Sequence, residues 1–453
     1  MKHSLETEKI GKLMLKFAIP AIISMLVGSL YNIVDQIFIG QGVGILGNGA
    51  TNVAFPITIV STSSALLFGI GGSSNFNLSM GKQQQEKAKS FMGNALMLLL
   101  LAGIIIAVIV LAFLEPLLQL LGATDKILPY ALDYTGITAI GLPFMVVTTG
   151  AGHLIRADGS PTYSMICTLT GAIMNTILDP LFIFGFGWGI KGGALATVIG
   201  QVTSGLLVLW YYKNKSNTKF QKSHFKIKTE NVKSITGLGM ASCINQIAMA
   251  VVQIVMNNVL RHYGAQSNYG AEIPIAVSGV ISKVNMVFMS ICIGVSQGCQ
   301  PIWGFNYGAH NYKRVINTYK RAAIICVTTG TIFFVLFQLC PYQIVGLFGD
   351  GSPEYFYFAQ RYLRIFMFFT FLNAIQPMSS GFFTSIGKAF LGATVSLTRQ
   401  FLFLIPLILI FPVFMGVDGV MYAAPISDMA AAVVAITLVV REIRRMKRDD
   451  VKA

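Results

Sequence analysis

Asn175-Thr-Ile-Leu-Asp179-Pro180-Leu-Phe-Ile-Phe-Gly-Phe-Gly187 closes an apolar run that begins at Pro161 and holds one charged side chain. Read as a helix, the run is long enough to cross a bilayer, for which about 20 apolar residues suffice. Asn175 and Asp179 are four apart, so they share a face, one turn above the other. A carboxylate among Ile, Leu and Phe is costly to bury and marks an ion or proton pathway. Pro180 has no amide donor, which frees the carbonyl near Thr176 as a further oxygen at that depth. The stretch reads as an ion-coupling site inside a membrane protein.

The whole chain supports a membrane setting. Of 453 residues 54% are hydrophobic and 11% charged, and the mean hydropathy is +0.67. A soluble domain carries about 25% charge, so this chain cannot cover a water-facing surface. The net charge of +15 invites a nucleic-acid reading, but the cations sit in gaps between apolar runs, not on one recognition element. The 45 Gly suit close helix approach in lipid. All six Cys (167, 243, 292, 299, 326 and 340) lie in apolar runs without CxxC or metal spacing, and packing is their expected role. The charged start and long first run, with no small-residue cleavage site, carry no expectation of a cleavable signal peptide.

Twelve runs are long enough to span, near 13–39, 50–75, 91–114, 128–155, 161–187, 190–212, 236–262, 273–299, 319–341, 357–385, 389–415 and 418–440. Their continuous apolarity means helices rather than barrel strands. With the start of the chain inside, 26 Lys and Arg fall in cytoplasmic segments and 5 outside; Lys283 and Arg399 lie within spans. That asymmetry predicts both termini in the cytoplasm. The longest polar gap, 213–234, holds seven Lys and reads as a cytoplasmic linker whose cations meet anionic lipid heads. It separates an N-lobe (1–212) from a C-lobe (235–453) with a basic tail.

The halves repeat at an offset near 227. Gly71, Gly81, Gly189 and Gly192 return as Gly298, Gly308, Gly416 and Gly419. Six helices per copy is an even number, so the copies share one topology about an axis along the membrane normal. The expected fold is all-α and polytopic, twelve helices in two six-helix lobes.

In this setting the quoted stretch, followed by Gly192-Gly-Ala-Leu-Ala-Thr197, resembles the multidrug and toxic compound extrusion (MATE) family, nearest its MepA-like branch. Phe38-Ile-Gly40, Arg156-Ala-Asp-Gly-Ser-Pro161 and Gln300-Pro-Ile-Trp-Gly-Phe-Asn-Tyr-Gly308 extend the likeness across residues 10–440. The resemblance implies a V-shaped pair of lobes in a bacterial cytoplasmic membrane. It implies export of organic-cation drugs by alternating access, coupled to H⁺ or Na⁺ entry, with no other cofactor. The family's N-lobe cation site matches Asp35, Asn175, Asp179 and Thr197. The seventh and tenth spans lack the carboxylates of some branches, and Asn257 stands in the seventh; coupling is expected in the N-lobe.

Depth offers an independent check. Asp35 lies about 28 Å beyond Lys16 and Asp179 about 27 Å beyond Pro161, at 1.5 Å per residue. Two such carboxylates repel in a poorly solvated pocket, so the pair is expected to share a proton. With Asn175 and Thr197 they also form a set of hard oxygens for Na⁺. In the C-lobe Lys283, Arg399 and Asp428 can each reach the midplane, as an ion-paired cluster or as substrate contacts. His153 and Arg156 fall at the cytoplasmic end of the fourth span, where snorkelling or a gate contact is expected. Met and Phe in the cleft suit aromatic cations. The alternative, a flippase for lipid-linked oligosaccharides, needs several cations in the cleft. An enzyme is not expected, since the spans hold no HExxH, Ser/His/Asp set or phosphate loop.

Overall fold

The structure is a computed structural model that describes residues 2–270, 272–348 and 352–452; the outermost bounds of the two lobes, residues 1 and 453, lie outside the described residues. The N-lobe holds α1 (Ile10–Val43), α2 (Ile45–Gly81), α3 (Gln85–Ala112), α4 (Leu128–Ala157), α5 (Pro161–Pro180) and α6 (Gly189–Asn214). The C-lobe holds α7 (Thr229–Ala265), α8 (Glu272–Gly308), α9 (Tyr312–Leu339), a tenth span α10, an eleventh α11 (Ala389–Met415) and α12 (Asp418–Lys452). Every described span is helical, because a backbone in hydrocarbon must satisfy its polar groups within its own segment.

One expected span differs. The tenth is not one helix but three pieces, Pro353–Phe366, Thr370–Asn373 and Ile375–Ser385. Pro377 removes the donor that would reach the Asn373 carbonyl. Gly330 on α9 presses against the backbone of Thr370 and Phe371 at the same level. Among the described residues eleven continuous helices remain that are long and apolar enough to cross.

The repeat is visible in the turns. Gln83 and His310, the two non-glycine residues with positive φ among the described residues, stand 227 apart at φ 63° and 58°. Gly189 and Gly416 recur at the same offset with φ 54° and 61°. In each lobe the final hairpin closes through a glycine: Gly192 lies on the Phe182 backbone and Gly419 on that of Phe411. A side chain at either would force the hairpin open.

Each lobe's first helix begins in the other lobe. Leu13, Met14 and Phe17 of α1 are buried among Phe288, Trp303 and Phe382 of the C-lobe, while Ile235 of α7 joins the N-lobe cluster of Phe76, Leu99 and Leu154. Along this seam backbones touch: Gly71 against Ile235, Gly239 against Leu67, Gly294 against Ile22 and Gly298 against Ala18. Gly81 meets Phe305 and Gly308 meets Leu78, the same contact repeated through the axis. Small residues permit this approach, and dispersion over the long contact holds it. The seam lies at the end that carries the basic loops. Its last side-chain bond among the described residues is Ser29 Oγ to Ser290 Oγ, 2.6 Å. Beyond that level no side-chain bond joins the lobes among the described residues, and the space between them is where the cleft is expected.

The 213–228 segment is docked rather than loose. Asn94 of α3 donates to the carbonyls of His224 and Lys226, each 2.9 Å, and accepts from Lys228 N at 2.8 Å. Buried Asp158 accepts from Tyr211 Oη (2.6 Å), Ser216 Oγ (2.9 Å), Asn217 N (2.8 Å) and Thr218 Oγ1 (2.5 Å). Asp158 lies in the turn after α4. Burial pushes its carboxyl above the usual range, against the pull of those four donors. Asp158→Ala strands these donors and is expected to cost about 3 kcal/mol, read as a lowered Tm with faster proteolysis within 213–228. The six Lys of the segment remain exposed.

Candidate functional site

Three helices bring the N-lobe residues together. α5 and α6 approach closely because Gly171 faces Ser204 and the Gly200 carbonyl, and Gly200 faces the Gly171 carbonyl. Ser204 Oγ donates to Cys167 O at 2.8 Å, which fixes the register. One turn along, that register sets Asn175 beside Thr197: Asn175 Nδ2 lies 3.3 Å from Thr197 Oγ1 and 3.3 Å from Asp179 Oδ1. Asp35 of α1 completes the group, its carboxylate close enough to interact with Asp179 and Asn175.

Asn175 and Asp179 are buried, at 2% and 0% exposure, and Asp35 is half-buried. Asp35 Oδ1, Asp179 Oδ2 and Asn175 Oδ1 are all enclosed, and no protein donor reaches any of them. Buried acceptors are ordinarily paired. Two carboxylates can bond to one another only when one carries a proton, or when a cation stands between them. The oxygen set fits either ion, since hard oxygens also suit Na⁺.

The end of the site away from the seam is sealed by residues that sequence reading did not single out. Ile39 and Ile183 each lie one turn beyond a carboxylate. Both are buried and both pack on Gly193. After Pro180 the helix widens into a π turn, Leu181–Gly185, closed by Phe186 N to Leu181 O at 2.9 Å. That turn swings Ile183 onto Gly42. Tyr31 and Tyr134 stand close enough to feel both carboxylates. The i−4 spacing of Tyr31 from Asp35 was a usable signal; nothing in the sequence pointed to Tyr134.

The C-lobe cations separate. Arg399 Nε donates to Asp428 Oδ1 at 2.7 Å, both largely buried, with Gln400 Oε1 3.4 Å from Arg399 Nη1. Lys283 does not join the pair. It is half-buried with no ion pair, on the α8 face that continues from Ser290 toward the cleft. Arg399→Ala leaves the Asp428 charge alone and is expected to cost about 3–5 kcal/mol, whereas replacing both members by apolar residues of like volume costs little. Thermal melting of the single and double variants checks this.

At the seam Arg156 donates to Ser164 Oγ and to Gln297 Oε1, each 3.0 Å, so it ties α4 to α8 across the lobes. His153, buried beside it, lies against Gln300. Arg156 is buried and does not snorkel; it makes a contact between the lobes. Asn257 accepts from Gln253 at 3.0 Å on an exposed face.

A bundle of two six-helix lobes around a cleft, with buried ionisable groups off the cleft axis, defines a membrane transporter. A family model described as MatE matches residues 20–181 and 241–410. The chain belongs to the MatE family. It is 28% identical to the multidrug export protein MepA of Staphylococcus haemolyticus over 98% of this chain and 96% of that one. It is 26% identical to MepA of Staphylococcus aureus, over 96% and 94%. Among solved structures, an outward-facing multidrug resistance MATE family transporter superposes with a TM-score of 0.91 at 24% identity, over 98% of both chains. A MOP superfamily transporter from Pyrococcus furiosus, described as having a binding pocket of reversed polarity, superposes at 0.90 and 23%, also over 98% of both.

Proposed function

We propose that this protein is a cation-coupled antiporter that exports organic-cation drugs and dyes. H⁺ or Na⁺ enters at Asp35 and Asp179 as drug leaves. The observation that carries the reading is the trio of enclosed oxygens from Asp35, Asp179 and Asn175 that no protein donor satisfies. The basic loops face the cytoplasm of a bacterial cell, both termini with them. The seam is then closed inward and the cleft opens outward. Ion uptake removes the repulsion between the carboxylates and draws α1 toward α5; release restores it. Because α1 is rooted in the C-lobe, its movement is transmitted to the seam. Relatives named as multidrug exporters over nearly the full length support the substrate class. The flippase alternative has less support, since of the cations within spans only Lys283 and Arg399 were expected at depth, and Arg399 is paired with Asp428.

The test is ethidium efflux in everted vesicles, with a proton or a sodium gradient imposed separately. Efflux that collapses with one gradient and not the other identifies the ion. Efflux indifferent to both overturns the proposal.

A further inference from the structure

At the basic end an open cavity of about 520 Å³ lies between the start of α1 and the start of α9. Four cations line it, Lys9 and Lys12 from the N-lobe and Arg314 and Arg321 from the C-lobe, against the one carboxylate of Glu8. Arg314 spends Nη2 on the carbonyls of Leu5 (3.1 Å) and Glu8 (2.8 Å), while its Nε is enclosed with no acceptor. Glu8 Oε2 is likewise enclosed without a donor, so the carboxylate does not quench Arg314 directly. Gly11 lets the Arg321 guanidinium cross toward α1; a Cβ there would lie 3.1 Å from Arg321 Nη1.

A second feature continues from this cavity. Thr328, Ile332 and Val335 follow Arg321 on one face of α9, at 7, 11 and 14 residues, and line a separate groove of about 400 Å³. From Arg321 to Val335 is about 21 Å along the helix, more than half of the roughly 30 Å hydrocarbon thickness. Between cavity and groove the surface is apolar and open: Leu15 and Ile19, on the Lys12 face of α1, are 60% and 48% exposed, and Ile324 of α9 is 65% exposed.

We propose that the cavity and groove together bind one anionic phospholipid, its phosphate among Lys9, Lys12, Arg314 and Arg321 and an acyl chain along α9. Clustered cations at the membrane surface attract anionic headgroups, and guanidinium forks match phosphate geometry. A soluble anion could use the charge but would leave the apolar groove unfilled. Because the start of α1 is rooted in the C-lobe, the four cations form one site at the foot of that lobe. Bound lipid therefore stabilises the seating of α1 on α9. The site is independent of the ion coupled at Asp35 and Asp179.

The test uses the full-length purified protein and native mass spectrometry, with dioleoyl phosphatidylglycerol, dioleoyl phosphatidylcholine and soluble glycerol phosphate as separate probes. One phosphatidylglycerol is expected to remain per chain in preference to phosphatidylcholine, with a raised Tm that glycerol phosphate does not reproduce. Lys12→Gln combined with Arg321→Gln is expected to weaken retention about thirtyfold. Thr328→Trp fills the groove while keeping every charge, and is expected to lower retention too; it keeps the proposal testable if the double variant fails to fold. Equal retention of phosphatidylcholine, or unchanged retention in the double variant or in Thr328→Trp, overturns the proposal. A Tm shift produced by glycerol phosphate alone overturns it in favour of a soluble-anion site.

Discussion

Asp35→Asn and Asp179→Asn are each expected to reduce drug-driven cation exchange to the level of vesicles without the protein, while the protein remains folded and inserted. The amide keeps the size and the oxygen of the carboxylate but cannot change charge. With one member neutral for good, the pair no longer distinguishes an ion-loaded from an ion-free state. Stability should move the other way: removing one of two adjacent like charges relieves repulsion, so Tm is expected to stay level or rise by a few degrees. Such a trade of stability against activity is common where a site is held under strain. Because the two side chains act as a unit, the double variant is expected to be no worse than either single one. Cells making both Asn variants and keeping full drug resistance would remove the mechanism.

Gly239→Ala is expected to be nearly as damaging, by another route. Its Cβ would come within 1.8 Å of the Leu67 carbonyl oxygen, and that of Gly71 within 1.9 Å of the Ile235 oxygen. Neither neighbour is a side chain that can swing aside. The lobes must separate along α2 and α7, and overpacking of this kind costs about 1–3 kcal/mol or more. A lowered Tm and lost dye export are expected. Gly28→Ala and Gly279→Ala serve as controls, because an added Cβ meets nothing within 4 Å at either position. Both should melt as the parent does. Equal melting of Gly239→Ala would mean that the seam is looser than its backbone contacts imply.

Much of this architecture could be read from the sequence because the membrane leaves few choices. Apolar length identified the spans, and the glycine repeat identified the two lobes and their axis. The broken tenth span escaped because hydropathy ignores backbone donors, although Pro377 was in plain view. Asp179 was legible as a misplaced charge, Asp35 came through the family resemblance, and the matching helix depths set the two at one level. The spatial partners were harder. Arg399 and Lys283 looked equally able to meet Asp428, and only packing sent one to it and the other toward the cleft. Arg156 reaches Gln297 across 141 residues of chain, a pairing that no local pattern encodes. Tyr134 has no carboxylate three or four residues away on α4 to announce it.

The two halves repeat in their turns and seam, yet only one carries the carboxylates. At the positions 227 beyond Asp35 and Asp179 stand His262, exposed at the end of α7, and Pro406. Under the proposed antiport, a machine built twice but metered once exchanges one ion for each drug. One elementary charge moving inward for each monovalent drug moving outward makes the exchange electroneutral. Efflux of a monocation should then follow the ion gradient and ignore a membrane potential set with valinomycin and potassium, whereas efflux of a dication should respond to that potential.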